Sequence, residues 1–278
     1  MAKVRRLTPQ QPEMFRARVV RTERVSPSMH RVTVTGPGLG GFPWLGYDHW
    51  FRLFLQLPHQ RELRLPEFTG AQWWQPYLAI PEDERPHCAN YSVAGFRRET
   101  AELDIDFVVH RGPTGEIEGR AAIWACNARP GDALAVLDQG ILFDCPQDAS
   151  EVTVVADETG LPATAGILRS LPGDTVGRLI QEIPTEADRR ELHAPPGVTV
   201  SWVVRRDSSA VPGAAALREL RRLTRAAATG YAFVVGESSL ATEGRRHLHR
   251  LGLPKERITF SGFWKHEKHE KHERAAAA

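Results

Sequence analysis

The chain has 278 residues, enough for one large or two ordinary domains, and its 41% hydrophobic content allows a packed core. Its 36 Lys and Arg residues are dispersed among 34 acidic ones, for a formal net charge of +2, which excludes the basic footprint of a nucleic-acid binder. The start, MAKVRRLTPQQPEMFR, lacks an apolar core of signal-peptide length, and no run approaches a membrane span, so a cytoplasmic protein is expected. Cys88, Cys126 and Cys145 are isolated, with no C-x-x-C pair and no zinc spacing, so reduced thiols and no protein-built metal site are expected.

From Phe15 to about Leu137 the strongest signals are short β-rich runs separated by turns: ARVVRTERV, MHRVTVTG, HWFRLFLQLP, NYSVAGF and ELDIDFVVH. Their spacing predicts a small antiparallel barrel. Within WFRLFLQL, Arg52 and Gln56 alternate with apolar neighbours, which leaves one strand face polar while the other packs. Gly36 to Gly41 matches G-x-G-x-x-G, but the segment contains Pro37 and runs into Phe42-Pro43-Trp44 with no helix to open, so it reads as a glycine-rich hairpin loop. Gln60 to Pro86 is irregular and reads as a long loop.

After Asp144-Cys145-Pro146 the pattern becomes an alternation of strand and helix. The series is VTVVA, then a helix through LPATAGILRSL; VGRLIQEI, then a helix EADRRELH; VTVSWVVR, then GAAALRELRRLTRAA; YAFVVGE, then SLATEGRRHLHRL; and RITFSGF. Five apolar strands with intervening helices predict a parallel sheet covered on both faces. The boundary falls near residue 147, giving a barrel domain over 1–147, an α/β domain over 148–264 and a charged tail over 265–278. Ligands of such sheets bind beyond the carboxyl ends of the strands, here Asp157-Glu158-Thr159, Arg205-Arg206, Gly236-Glu237-Ser238 and Phe263-Trp264. The tail repeats Lys-His-Glu and reads as a solvated helix in which His266, His269 and His272 diverge around the surface.

The chemistry concentrates between Cys88 and Asp132. Tyr91-Ser92, with Val93 beside them, supplies a ring and a hydroxyl at the end of a barrel strand, able to stack on or hydrogen-bond a planar ligand. In Gly119-Arg120-Ala121-Ala122-Ile123-Trp124-Ala125 small residues let the N–H groups of a helix start approach a pyrophosphate; a plain helix with a packed Trp124 would look similar. Asp157-Glu158-Thr159-Gly160-Leu161-Pro162-Ala163 follows an apolar strand. Its carboxylates would repel a phosphate and suit neutral ring edges or sugar hydroxyls, and Thr159 reads equally as a helix cap.

In this order the stretches HWFRLFLQLP, NYS, LDIDFVVH with GRAAIWA and ARPGD, DETGLPA, and VVGES with FSGFW resemble the siderophore-interacting protein family. These are flavin-dependent ferric-siderophore reductases related to the ferredoxin-NADP reductase superfamily. The resemblance covers nearly the whole chain and implies an N-terminal antiparallel flavin-binding barrel followed by a parallel five-stranded, nucleotide-binding-like α/β domain. It places Tyr91, Ser92 and Val93 near the isoalloxazine and ribityl-phosphate of FAD, Val108 and His110 along its extended arm, and Ala121, Ala122 and Trp124 at the pyrophosphate helix. Asp157, Thr159 and Trp264 are placed near the cofactor. Arg52, Lys265 and His266 would form a basic rim for an anionic ferric siderophore. The electron donor would be NAD(P)H at Gly236-Glu237-Ser238 or else a ferredoxin; Arg205 or Arg206 would read a 2′-phosphate, and plain surface arginines explain them equally well. A monomer is implied. The alternatives are a general flavin or ferredoxin reductase and a non-catalytic ferric-siderophore carrier.

The chain departs from the family pattern where Arg-x-Tyr-Thr/Ser-x-Arg is usual, having Ala89 and Ala94 at the two arginine positions. In the helix motif Arg120 and Ala122 stand for Pro and Ser. Arg120, with Arg97 or Arg98, is expected to restore the positive charge that the flavin phosphates need.

Overall fold

The barrel follows from strands whose buried positions alternate or run continuously against one interior. The computed structural model describes residues 7–9, 12–67, 72–112, 114–207 and 209–266. In chain order the first elements are β1 (Met14–Ser26), β2 (Met29–Thr35), β3 (Trp50–Leu55), α1 (Trp74–Ala79), β4 (His87–Arg97) and β5 (Glu102–Val108). They are followed by the short pair β6 (His110–Arg111) and β7 (Ile117–Glu118), then α2 (Arg120–Asn127) and β8 (Ala133–Asp138). Six strands close in the order β1-β2-β5-β4-β3-β8, every neighbouring pair antiparallel. Phe15, Val32, Val34, Phe51, Leu53, Ile105 and Val136 fill the interior. Closure leaves no free sheet edge.

The second half comprises β9 (Val152–Ala156), α3 (Leu161–Ser170), β10 (Val176–Ile183), β11 (Gly197–Val204), α4 (Ala214–Leu220), β12 (Tyr231–Glu237), α5 (Ser238–Arg250) and β13 (Ile258–Trp264). The five strands form one sheet in the order β11-β10-β9-β12-β13, and the β10·β9, β9·β12 and β12·β13 pairs are parallel. The central strands β9 and β12 are buried along their whole length, as a strand covered on both faces must be. Val155, Ile180, Ala232, Val234, Leu240 and Leu248 make the core of this part.

The chain resolves into two compact units. The barrel unit takes in Met1–Asp144 together with Leu161–Val176 and Thr185–Val198; the α/β unit takes in Cys145–Gly160, Gly177–Pro184 and Thr199–Ala278. The helix α3 and the segment around Asp188 therefore group with the barrel, although they lie between sheet strands in sequence.

Several local expectations are corrected. The Gln60 to Pro86 stretch holds a helix, α1, anchored by the buried Trp73 and Tyr77 against Phe54. EADRRELH is not a helix beyond the single turn Glu186–Asp188. There the buried Asp188 carboxylate accepts hydrogen bonds from Ser26 and Ser28 as well as from Thr185, which ties it to the barrel and ends the turn. The helix expected over GAAALRELRRLTRAA is only seven residues long, because Leu223 and Ala226 pack inward beyond Leu220. The Gly36–Gly41 segment is a loop ending in one 3-10 turn but not a hairpin, because β2 and β3, which it separates, are not neighbours in the barrel. The Lys-His-Glu helix lies outside the described residues from 267 onward.

Candidate functional site

Two places in the molecule bring chemistry-bearing residues together, one in each unit. In the barrel unit, Tyr91 on β4 packs against Phe107 of β5 at 4.6 Å between ring centroids, and Phe107 packs against Trp124 of α2 at 6.0 Å. Phe107 is thus the link between the strand and helix motifs. Burial pushes the Tyr91 phenol well above its ordinary value, so it is a neutral donor at any physiological pH. Ser92 is nearly buried opposite Trp50, and Val93 lies in the core with its N–H on the His49 carbonyl. Val108 ends β5 and His110 opens the β6·β7 pair that leads into α2.

The start of α2 is open. Gly119 takes φ +87°, a left-handed conformation that favours glycine, and the space a Cβ would enter there is empty. No side chain caps the helix and its first turn carries no acid, so the N–H groups of the first turn are left for another acceptor. Ala121 and Ala122 add no bulk. Alongside lies a cavity of about 1290 Å3 whose lining sets Arg18, Arg85, Arg120 and Arg129 against Glu82, Asp83 and Asp132, with His87 and Trp124 also facing it. Arg120 and Arg129 have no carboxylate partner among the described residues, while Arg18 donates to the Gly131 carbonyl. Burial and the nearby Arg120 charge both lower the His87 pKa.

The arginines expected beside Arg120 are committed elsewhere. Arg97 makes paired hydrogen bonds to Asp104 at 2.7 Å and reaches Glu102; Arg98 donates to the carbonyls of Gly40 and Phe42. At Ala94, where the family has its second arginine, the ladder is bulged and Arg169 of α3 donates to the Ala94 carbonyl at 3.3 Å. A guanidinium from α3 therefore lies at this carbonyl, a placement with no signal in the sequence.

Arg52 lies on β3 across from Asn90, to which it donates, with its guanidinium 5.3 Å from the ring centres of both Trp50 and Trp73. Burial raises the Cys88 thiol to about 11, against the opposing Arg52 charge, so it stays protonated. A further buried network went unnoticed in the sequence: His49 stacks on Phe42 and Trp44, accepts the Leu45 N–H at Nδ1 and donates from Nε2 to Asp138 at 2.7 Å. It braces the barrel end beside β4 through Val93.

In the α/β unit the carboxyl ends of the strands carry Asp157, Glu158, Glu182 and Glu237, all buried. Asp157 Oδ1 accepts the Thr159 N–H at 2.9 Å and its hydroxyl at 2.6 Å; Oδ2 accepts the Glu237 N–H at 2.7 Å and the Trp264 indole N–H at 3.2 Å. Gly236 has no side chain because one could not fit: a Cβ would sit 2.6 Å from the Asp157 carboxyl carbon. Glu237 accepts the N–H groups of Ser239 and His266, and Glu182 those of Gly213 and Ala216 at the start of α4. Arg205 is buried between Glu158 at 2.6 Å and Glu182 at 3.3 Å. Burial, reinforced by the Asp157 charge and opposed by Arg205, lifts Glu158 to about 7. Lys265 and His266 are exposed beyond β13, the His266 ring edge-on to Trp264.

A closed antiparallel barrel followed by a parallel α/β unit is a ferredoxin reductase-like fold, shared with the ferredoxin reductase in carbazole 1,9a-dioxygenase at a TM-score of 0.59 and 17% identity. Residues 18–141 match the siderophore-interacting FAD-binding domain, and residues 149–267 match the siderophore-interacting protein model. The chain belongs to the siderophore-interacting protein family. It is 28% identical to the ferric vibriobactin reductase ViuB of Vibrio cholerae over 90% of this chain and 88% of that one. It is 26% identical to the NADPH-dependent ferric-chelate reductase of Escherichia coli over 88% of this chain and 91% of that one. The crystal structure of the siderophore-interacting protein SipS from Aeromonas hydrophila superposes with a TM-score of 0.73 at 28% identity, covering 96% of each chain. No helix of the described residues is long and apolar enough to cross a membrane.

Proposed function

We propose that this chain is an FAD-dependent reductase of ferric siderophores, converting bound Fe(III) to the more weakly held Fe(II) for intracellular iron use. The observation that carries the reading is the uncapped α2 start beside a cavity that Arg120 and Arg129 line, with Trp124 of the same helix joined to Tyr91 through Phe107. It suits a ligand that is aromatic at one end and doubly phosphorylated in the middle. The family membership and the ferric reductase names of two relatives support the same chemistry.

FAD, when bound, accepts an electron pair and passes electrons singly to iron. The chain's part is to hold and orient. Tyr91 and Ser92 would face the ring end, Val108 and His110 the extended arm, and the first-turn N–H groups of α2 with Arg120 the diphosphate, while Val93, enclosed in the barrel core, would only support its strand. Arg129 and Arg18, which line the cavity, would offset the alanines at 89 and 94. Outer-sphere electron transfer needs no protein acid or base. Arg52, Lys265 and His266 would attract an anionic ferric siderophore, with Arg52 held ready by its two indoles. The donor is a reduced nicotinamide nucleotide or a ferredoxin, and the protein acts as a cytoplasmic monomer.

Purification should give a yellow protein with the spectrum of oxidised flavin. Anaerobic stopped-flow bleaching by NADH, NADPH and reduced ferredoxin would then rank the donors. A colourless protein that takes up no FAD would end the reading.

A further inference from the structure

Dinucleotides held by parallel α/β sheets lay their phosphates on backbone N–H groups at the carboxyl ends of strands, where helix starts supply donors and partial positive charge. In this α/β unit several of those donors are already used. Beyond β9 the Thr159 N–H, and at the end of β12 the Glu237 N–H, both point at the Asp157 carboxylate. The first turn of α5 gives the Ser239 N–H to Glu237, and the start of α4 gives two N–H groups to Glu182. Gly236, the glycine that would let a phosphate approach the backbone, opens instead onto Asp157, whose carboxyl group fills the volume.

The charges agree with the hydrogen bonds. Four buried carboxylates, Asp157, Glu158, Glu182 and Glu237, stand at this end of the sheet. Arg205, which the sequence offered as a reader of a 2′-phosphate, is enclosed between Glu158 and Glu182 with its side chain 8% exposed. A diphosphate arriving here would meet like charge and would have to displace an internal carboxylate from each of these N–H groups.

We infer that Asp157, with Glu182 and Glu237, acts as a built-in anion that closes the phosphate sites of the sheet, so that the electron donor is recognised without a diphosphate anchor on the α/β unit. Asp157 is a specificity-determining residue in this role. Its fourth hydrogen bond, to the Trp264 indole, shows that the same carboxylate also fixes the last aromatic residue of β13. The inference rests on the reductase reading for the existence of a donor, but it concerns only the hydrogen bonds of this unit.

Calorimetric titration of the purified, FAD-loaded protein with NADP+ and with 2′,5′-ADP tests it. The wild type should bind both more weakly than about 1 mM. Asp157→Gly, which removes the charge and opens the volume beside Gly236, should tighten NADP+ about tenfold, and Asp157→Asn, which removes the charge alone, by less. Wild-type binding tighter than about 1 mM would overturn the inference. So would a variant that melts cooperatively near the wild-type temperature yet binds no better. If neither variant folds, the wild-type titration decides. Flavin content is measured on the same samples, so a failure of the reductase reading shows as missing FAD, independently of the titration.

Discussion

The starts of α2 and α5 present opposite solutions to the same problem. Each leaves backbone N–H groups unsatisfied at its first turn. At α2 the preceding residue is a glycine in a left-handed conformation, the first residue is an arginine, and no side chain returns to cap the turn. At α5 the preceding residue is Glu237, whose own carboxylate takes the Ser239 N–H, while Asp157 takes the Glu237 N–H. One helix start is kept for an external anion and the other is neutralised from within. Fold alone therefore does not mark a phosphate site; the residue at the cap does.

The contrast can be broken most forcefully at Gly236. Alanine there would place a Cβ against the Asp157 carboxyl group at φ +123°, and the α/β unit should lose about 4 kcal/mol in denaturant unfolding. Adding Asp157→Gly should return part of that loss, since the two positions share one volume.

Next in size is a pH effect at Glu158. Its folded-state pKa is raised from 4.5 to about 7, so its contribution to stability is fully present below the lower value and is lost as pH rises through the upper. Between pH 5 and pH 8 the wild type should lose up to about 3 kcal/mol that Glu158→Gln does not. Barrel carboxylates behave oppositely. Burial works to raise Asp104 and Asp188, but hydrogen bonds from Arg97 and Thr33, and from Ser26, Ser28 and Thr185, hold both below the ordinary value, so their stabilisation is lost on acidification.

Reversing the charge at the open helix start should cost about a hundredfold in FAD affinity for Arg120→Glu, roughly 2.7 kcal/mol, read by flavin fluorescence on the apoprotein. Arg169→Ala should cost about fivefold, because its guanidinium only neighbours the Ala94 carbonyl. Equal effects at the two positions would mean that the α2 start is not the anchor.

Much of the architecture was legible in sequence, because alternating and continuous apolar runs report burial directly. The strands carrying Arg52, Tyr91 and Val108 could be read this way. The closing strand β8, ALAVLD, is buried at five of six positions and shows no alternation, which hid it. The six-residue α1 contains Pro76 and is held by Trp73 and Tyr77 packing on Phe54, a contact that no period announces. In the candidate site, Tyr91 and Ser92 and the Gly119–Ala125 segment were recognisable from residue type. Their link through Phe107 was not, nor was the approach of Arg169 to Ala94 across 75 positions. DETGLPA was visible as a turn with two acids, but that Asp157 serves Glu237 and Trp264, 80 and 107 positions away, is a property of the folded sheet.

The central claim is that flavin held at the barrel delivers electrons to siderophore-bound iron. The direct measurement is to photoreduce the FAD-loaded protein without oxygen, mix it with a ferric siderophore, and follow flavin absorbance together with Fe(II) trapped by a ferrous-specific chelator. The account predicts that the flavin reoxidises as the ferric-siderophore band disappears, with two Fe(II) trapped per FAD, as electron balance requires. Flavin that stays reduced in the presence of bound ferric siderophore would contradict it.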